Sequence, residues 1–206
     1  MNNLITQIGG PTILVFIGGI IAAIGAVWSA YEQNTMSDRL NQKNEEIILL
    51  NKSINDAIIG GDSFCYLMPT AGQTPIPMLV HSGSNPVYDL NMRIVDLDVF
   101  DRVKDGTLQE IASADRSLSL GNIPPQSSRV LAAVLTLDTE FKRFNIFYSA
   151  RNGFFTQELR MRRTPDGVWR TATRVTRNLA DGSSRPVFTD VRPDYPTSPD
   201  GRVDWN

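Results

Sequence analysis

No charged side chain occurs in residues 1–31, and within that stretch residues 11–28 (PTILVFIGGIIAAIGAVW) are apolar throughout except for Thr12. A bilayer core of about 30 Å needs roughly 20 such residues at 1.5 Å rise per residue, so this segment spans with its flanks. Trp28 and Tyr31 then fall where an interfacial aromatic belt belongs. The lack of an amphipathic face argues against a buried core helix. A cleaved signal peptide wants a basic start and small residues before the cut. Here the start has no Lys or Arg, and a cut after Ala30 would put Trp28 where a small residue is required. The expectation is an uncleaved signal anchor, with residues 1–10 as an N-terminal tail and 11–31 as the transmembrane helix.

Small residues recur four apart in the span, Gly18 with Ala22 and Ala26. That spacing lines one helix face and lets a second backbone approach closely. Residues 32–59 continue as a helical stalk. Met36, Leu40, Lys43, Ile47, Leu50, Ile54 and Ala57 alternate at spacings of four and three, the seam of a heptad repeat. Asparagines at 41, 44, 51 and 55 weaken the helix, so the coiled coil is short and depends on the membrane span for local concentration. A homo-oligomer is expected, associating through Gly18, Ala22, Ala26, Leu40, Ile47, Leu50 and Ile54. The alternative is a lone amphipathic helix. Gly60-Gly61 ends it.

From residue 63 the hydrophobic period becomes two. Strands are predicted over 63–68, 78–81, 87–94, 129–137, 141–151, 154–163 and 168–177, separated by Gly-, Pro- and Asn-rich turns. Asn152-Gly153 signals a two-residue type I′ hairpin, and Thr164-Pro165-Asp166-Gly167 a type I turn with a glycine bulge. The apolar phase shifts between Leu90/Met92/Ile94 and Val95/Leu97/Val99, which predicts a bulge near Ile94-Val95. Short strands without intervening helices mean a sandwich or barrel over residues 62–177. Residues 178–206 hold four prolines and few apolar residues, and read as an extended Pro/Asp-rich tail on which Phe188, Tyr195 and Trp205 could dock.

Two stretches, MLVHSGSNPVYDLNMRIVDLD (78–98) and LGNIPPQSSRVLAAVLTL (120–137), pair a glycine-loop-Pro-x-x-Asp-Leu step with a proline-rich turn opening an apolar strand. This resembles the bacterial cell-adhesion-related (CARDB-type) and fibronectin-III-like sandwiches. The resemblance implies a mainly β, Ig-like β-sandwich and an adhesive or scaffolding use, with no catalytic residues to carry over.

Chemistry-bearing motifs are sparse. His81 is the sole histidine, so paired-histidine metal sites are excluded and any triad would have to run through it. Its place at a strand end predicts a surface or strand-edge role. Cys65 is the sole cysteine, which excludes an intrachain disulfide. It sits in SFCYLM as a small hydrophobe. Asp96, Asp98 and Asp101 lack the glycine-turned loop of a calcium site and read as a solvated strand face. No GxGxxG or Walker loop occurs. No metal, cofactor, catalytic residue or nucleic-acid role is expected. The net charge of −2 gives no general pull on polyanions.

Charge placement is the exception. Residues 139–177 hold nine Lys/Arg and three Asp/Glu. Pairing the last hairpin about its turn sets Arg162 opposite Arg170 and Arg160 opposite Ala172. Alternation then sends Arg160, Arg162, Arg170 and Arg174 to one face, with Leu159, Met161, Trp169 and Val175 on the other. Like charges across a strand pair cost stability unless an anion or acidic partner neutralises them. The competing reading is a solvated face balanced by Glu158 and the tail. Three function classes follow. The first is a non-catalytic, membrane-anchored interaction or scaffolding protein in a bacterial cytoplasmic membrane, its domain on the extracytoplasmic side, with an unknown protein or anionic envelope partner. The second is a cytoplasm-facing scaffold or regulator, since Arg39 and Lys43 follow the span and nothing basic precedes it. The third is an envelope hydrolase.

Overall fold

The uncharged segment and the stalk form one helix, α1 (Gly10–Ile59), of 50 residues, about 75 Å long at the usual rise. The computed structural model describes residues 10–198 and 200–205, with side chains from residue 13; residues 1–9 of the expected N-terminal tail lie outside this range. Between residues 13 and 59 no side chain is buried. The helix is long and apolar enough to cross a membrane or to act as a signal sequence. No helix break separates the 11–31 and 32–59 segments. The chain divides into two units between Ser53 and Ile54, so the last turn of α1 belongs with the β-rich unit.

That last turn is tied down by polar contacts. Gly60 (φ 101) and Gly61 (φ 52) terminate it in left-handed backbone. A Cβ at Gly60 would stand 2.7 Å from the Pro86 carbonyl. The open carbonyls of the helix end accept from Tyr88 Oη at Ala57 (3.0 Å) and Arg151 Nη1 at Ile58 (3.4 Å). A cation there also matches the negative end of the helix dipole.

Two antiparallel sheets follow. The first runs β1 (Phe64–Pro69), β2 (Pro77–Ser82) and β5 (Ser128–Val130), in the order β1-β2-β5. The second contains β3 (Val87–Asp96), β4 (Asp115–Ile123), β6 (Phe141–Ala150), β7 (Gly153–Arg163), β8 (Trp169–Asn178) and β9 (Ser184–Val191). Its order is β4-β3-β6-β7-β8-β9. The inward-facing residues of both sheets share one core, including Leu67, Leu79, Met92, Ile146, Phe155, Leu159, Met161 and Val175. Gln157, on β7, is fully buried (0% exposed) within it. Its amide joins the sheets by accepting from Leu67 N (2.8 Å) and donating to Leu67 O (2.7 Å). It also accepts from Tyr148 Oη and donates to Thr173 Oγ1. The free edge of β1 thus finds side-chain partners where no strand continues the ladder.

Several expectations are corrected. The strand expected over 129–137 is only Ser128–Val130; the chain then runs irregularly, while Leu131 and Val134 still fill the core. The bulge falls around Leu90, not at Ile94-Val95. The phase shift in that run instead marks the end of β3. Asp96 caps a short helix, α2 (Leu97–Val103), its Oδ1 accepting from Asp98 N and Val99 N. Thr107 and Glu110 form a capping box for α3 (Leu108–Ala112). The region 62–177 therefore contains two helices as well as strands. The Asn152-Gly153 hairpin turns one residue earlier. Ala150 pairs with Gly153, so Arg151 and Asn152 are central; neither has positive φ, and Gly153 (φ 125) supplies the left-handed step. Asn152 donates to the Gly61 and Ser63 carbonyls, which holds this turn on the start of β1. In the next hairpin the Gly167 N–H donates to Thr164 O (2.8 Å), with Gly167 at φ 81, as expected for a type I turn with a glycine bulge. Within the expected tail, residues 184–191 form β9, which pairs with β8.

A candidate anion-binding face on the six-stranded sheet

On the outer face of β6, β7 and β8, cross-strand register sets the arginines side by side. Arg143 lies opposite Arg160, and Arg162 lies opposite both Phe141 and Arg170. Glu158 lies opposite Arg174. Leu159, Met161, Trp169 and Val175 point inward and are buried. The four sequence-predicted arginines thus share one face, yet their surroundings differ sharply.

Arg160 is 1% exposed. Its Nη1 donates to Phe144 O (2.9 Å), Leu159 O (3.2 Å) and Asn145 Oδ1 (3.3 Å). Its Nε donates to Trp205 O (3.0 Å), and Nη2 donates to the same carbonyl. All of these acceptors are neutral. Burial pulls the guanidinium below the ordinary arginine range, Glu158 opposing this and Arg143 adding to it. Arg174 pairs with Glu158 (Nε–Oε2 2.5 Å) and lies 4.7 Å from the Trp205 ring centroid. Arg162 stacks on Phe141 at 4.2 Å. Burial raises the Tyr195 phenol, and the nearby Arg162 guanidinium lowers it in part. The Nε atoms of Arg162 and Arg170 are buried with no hydrogen-bond partner among the described residues.

Three further residues contribute to this face. Arg143 joins the row, held by α2 through Asp98 Oδ1 (2.8 Å) and Asp101 Oδ2 (2.7 Å). The expected solvated aspartate face is therefore a helix cap and a clamp. Asp96, besides capping α2, pairs with the buried Lys142 (2.7 Å), which also reaches Asp138 (2.8 Å). Tyr195, buried, and Trp205 lie against the arginines from the C-terminal segment. Only their aromatic character hinted at this in the sequence. At the other end of the same face Phe147 and Phe154 are solvent-exposed, with Arg93 5.8 Å from the Phe147 ring.

His81 is buried, contrary to the expectation of a surface residue. Its Nε2 donates to Asn85 O (2.8 Å) and its Nδ1 accepts from Gln126 N (3.3 Å). Both ring nitrogens therefore serve to hold loops. Burial pushes the Cys65 thiol up to about 12, so it is a packed hydrophobe and not a nucleophile. Among the described residues no group of His, Cys, Asp or Glu is arranged to hold a metal ion. On α1, Gly18, Ala22, Ala26, Leu40, Ile47, Leu50 and Ile54 all have solvent-exposed side-chain positions.

Fold and site together define a β-rich domain preceded by an apolar helix of membrane-spanning length, with an arginine row on one sheet face. No protein-family model matches the chain, and comparison with curated proteins and with solved structures gives no match.

Proposed function

We propose that this chain is a non-catalytic, membrane-anchored interaction module. Its domain is an Ig-like β-sandwich of the CARDB or fibronectin-III-like type, and it engages an acidic partner through the arginine face. α1 anchors it in a bacterial cytoplasmic membrane and self-associates through its small-residue and heptad faces, with the domain on the extracytoplasmic side.

The observation that carries this reading is the directly opposed pair Arg162/Arg170, both with unpartnered Nε atoms. Two like charges in register destabilise a strand pair, and unmade hydrogen bonds on buried donors add to that cost. An acidic ligand at the guanidinium heads relieves the first of these. Replacing Arg162 and Arg170 together by Gln should leave folding intact or raise the melting temperature slightly. Binding to polyglutamate should fall, and the wild-type binding should weaken steeply with salt, since exposed charges are screened beyond ~10 Å at 0.1 M. Unchanged binding in the double variant would reject the face as the partner site.

A second reading is favoured by one observation: Arg39 and Lys43 follow the apolar segment while residues 1–10 hold no Lys or Arg, the pattern of a cytoplasmic C-terminus. The domain would then be a cytoplasm-facing scaffold or regulator. A reporter fused after Asn206 and active on only one side of the membrane separates the two.

A further inference from the structure

The C-terminal segment leaves β9 and crosses the arginine face. The Arg192 N–H donates to Thr171 O (3.0 Å), and the Tyr195 N–H turns back to Arg192 O (3.1 Å). Beyond that, among the described residues, no hydrogen bond joins the backbone of residues 196–205 to the backbone of the sheet. Its side-chain attachments include buried Tyr195 beside Arg162, and Trp205 between Arg160 and Arg174. Between them a small turn closes on itself, Ser198 N donating to Arg202 O (2.9 Å) and Gly201 N to Ser198 O (2.8 Å). Pro196, Thr197 and Ser198 are exposed. A segment held by side chains on either side of a solvated turn can lift without breaking a strand.

We propose that residues 193–205 are a strap bound in cis as a stand-in ligand, and that the groove beneath takes an extended acidic-aromatic peptide from another protein. This rests on the reading of the arginine face as a partner surface. The chemistry of the groove describes its ligand. Arg160 offers Nε and Nη2 to one oxygen, the fork that fits a carboxylate bidentately, yet its occupant is only a backbone carbonyl. Arg174 offers its guanidinium to an aromatic ring. The Arg162/Arg170 pair beside them sets two like charges in register, with both Nε atoms unpartnered among the described residues. A peptide with an aromatic residue flanked by carboxylates meets all three conditions better than the strap does. The strap's Asp204-Trp205 is the same pattern in weaker form. Tethering compensates, because a short linker holds its segment at an effective concentration on the order of mM.

The test uses the full chain in detergent micelles and two probes: a fluorescent peptide with the sequence of residues 193–206, and polyglutamate. Trp205→Ala frees the groove by one side chain, and a chain ending at Arg192 frees it entirely. Both should bind the peptide about tenfold or more tighter than wild type (about 1.4 kcal/mol). The gain should vanish when Arg174→Ala is added or when the peptide's Trp is replaced by Ala. Should the truncated chain fold poorly, Trp205→Ala alone decides. Equal peptide affinity in wild type and Trp205→Ala would overturn the strap. It would leave the face reading intact if polyglutamate binding still depends on Arg162 and Arg170. If no variant binds polyglutamate, both fall. Binding of the freed groove to phosphatidylserine vesicles in place of the peptide would overturn the ligand assignment.

Discussion

α1 and the β domain both depend on apolar side chains, but they expose them oppositely. Ile17, Ile47, Leu50 and Ile54 on the helix are each about half exposed, whereas Leu67, Ile146, Leu159 and Val175 in the sheets are at 0%. Burial from water stabilises by roughly 25 cal/mol per Å². The domain gains this from its own chain. Helix packing supplies most helical stability in proteins; under the proposed function α1 obtains its share from lipid or from another copy. One region then carries its solvent inside the fold, and the other relies on a solvent outside it.

The largest effect that tests this contrast is a core deletion. Leu159→Ala should cost the domain roughly 2–5 kcal/mol in denaturant unfolding, while Leu50→Ala should leave the same transition unmoved. Equal shifts would mean that the two regions are stabilised alike.

Gln157→Leu is next. It strands Leu67 N and Leu67 O together with the Tyr148 and Thr173 hydroxyls. Unmade buried hydrogen bonds cost roughly 1–3 kcal/mol per group before relaxation. The melting temperature should drop clearly, and hydrogen exchange at Leu67 should accelerate before exchange elsewhere in the core. No change at Leu67 would show that the amide clasp does not hold β1.

The helix side of the contrast is probed by crosslinking in membranes. Ile47→Asp places an unpaired carboxylate in the heptad seam, and Gly18→Leu blocks close backbone approach. Both should lower the crosslinked yield without altering domain unfolding. Unaltered yields in both variants would reject self-association through α1.

The smallest effect is on acid stability. Hydrogen bonding to Lys142 and to its own backbone holds the Asp138 carboxyl below the usual carboxylate range. A depressed folded-state value stabilises above the unfolded value and is lost as pH falls through the folded one. Asp138 is half exposed, so the contribution is under about 1 kcal/mol. Asp138→Asn should lower stability at neutral pH by that amount, leave stability at low pH nearly unaffected, and so flatten the acid limb of the stability curve. An unchanged acid limb would assign the pH dependence to other carboxylates.

Legibility followed the same divide between local and distant causes. β2, β3, β6, β7 and β8 were readable because their apolar residues alternate between core and solvent, and β1 because it is a short apolar run. β9 was not, because an edge strand with Arg185, Pro186 and Asp190 needs little apolar content once β8 supplies its ladder. β4 hid for a similar reason: Leu118 and Leu120 alternate, but Gly121 and the flanking polar residues resemble a turn. The run after Ile94 looked like a shifted strand because α2 is too short to display a helical period, and its true signal was the Asp96 cap. The arginine register was legible because turn chemistry fixes the pairing of β7 with β8. What each arginine touches was not.

The sequence by itself therefore determined the apolar helix, the β-rich class and the shared face of Arg160, Arg162, Arg170 and Arg174. Each follows from a run, a period or a turn contained within a few dozen residues. Only the tertiary structure decided that Arg160 is buried under a carbonyl 45 residues away, and that Gln157 joins a strand 90 residues away. The same holds for His81, whose ring binds Gln126 across 45 residues. Such contacts depend on which distant polar groups the packed sheets bring within hydrogen-bonding reach. A one-dimensional pattern carries the periodicity that builds the sheets, and the pairing of groups across them arises only when the core closes.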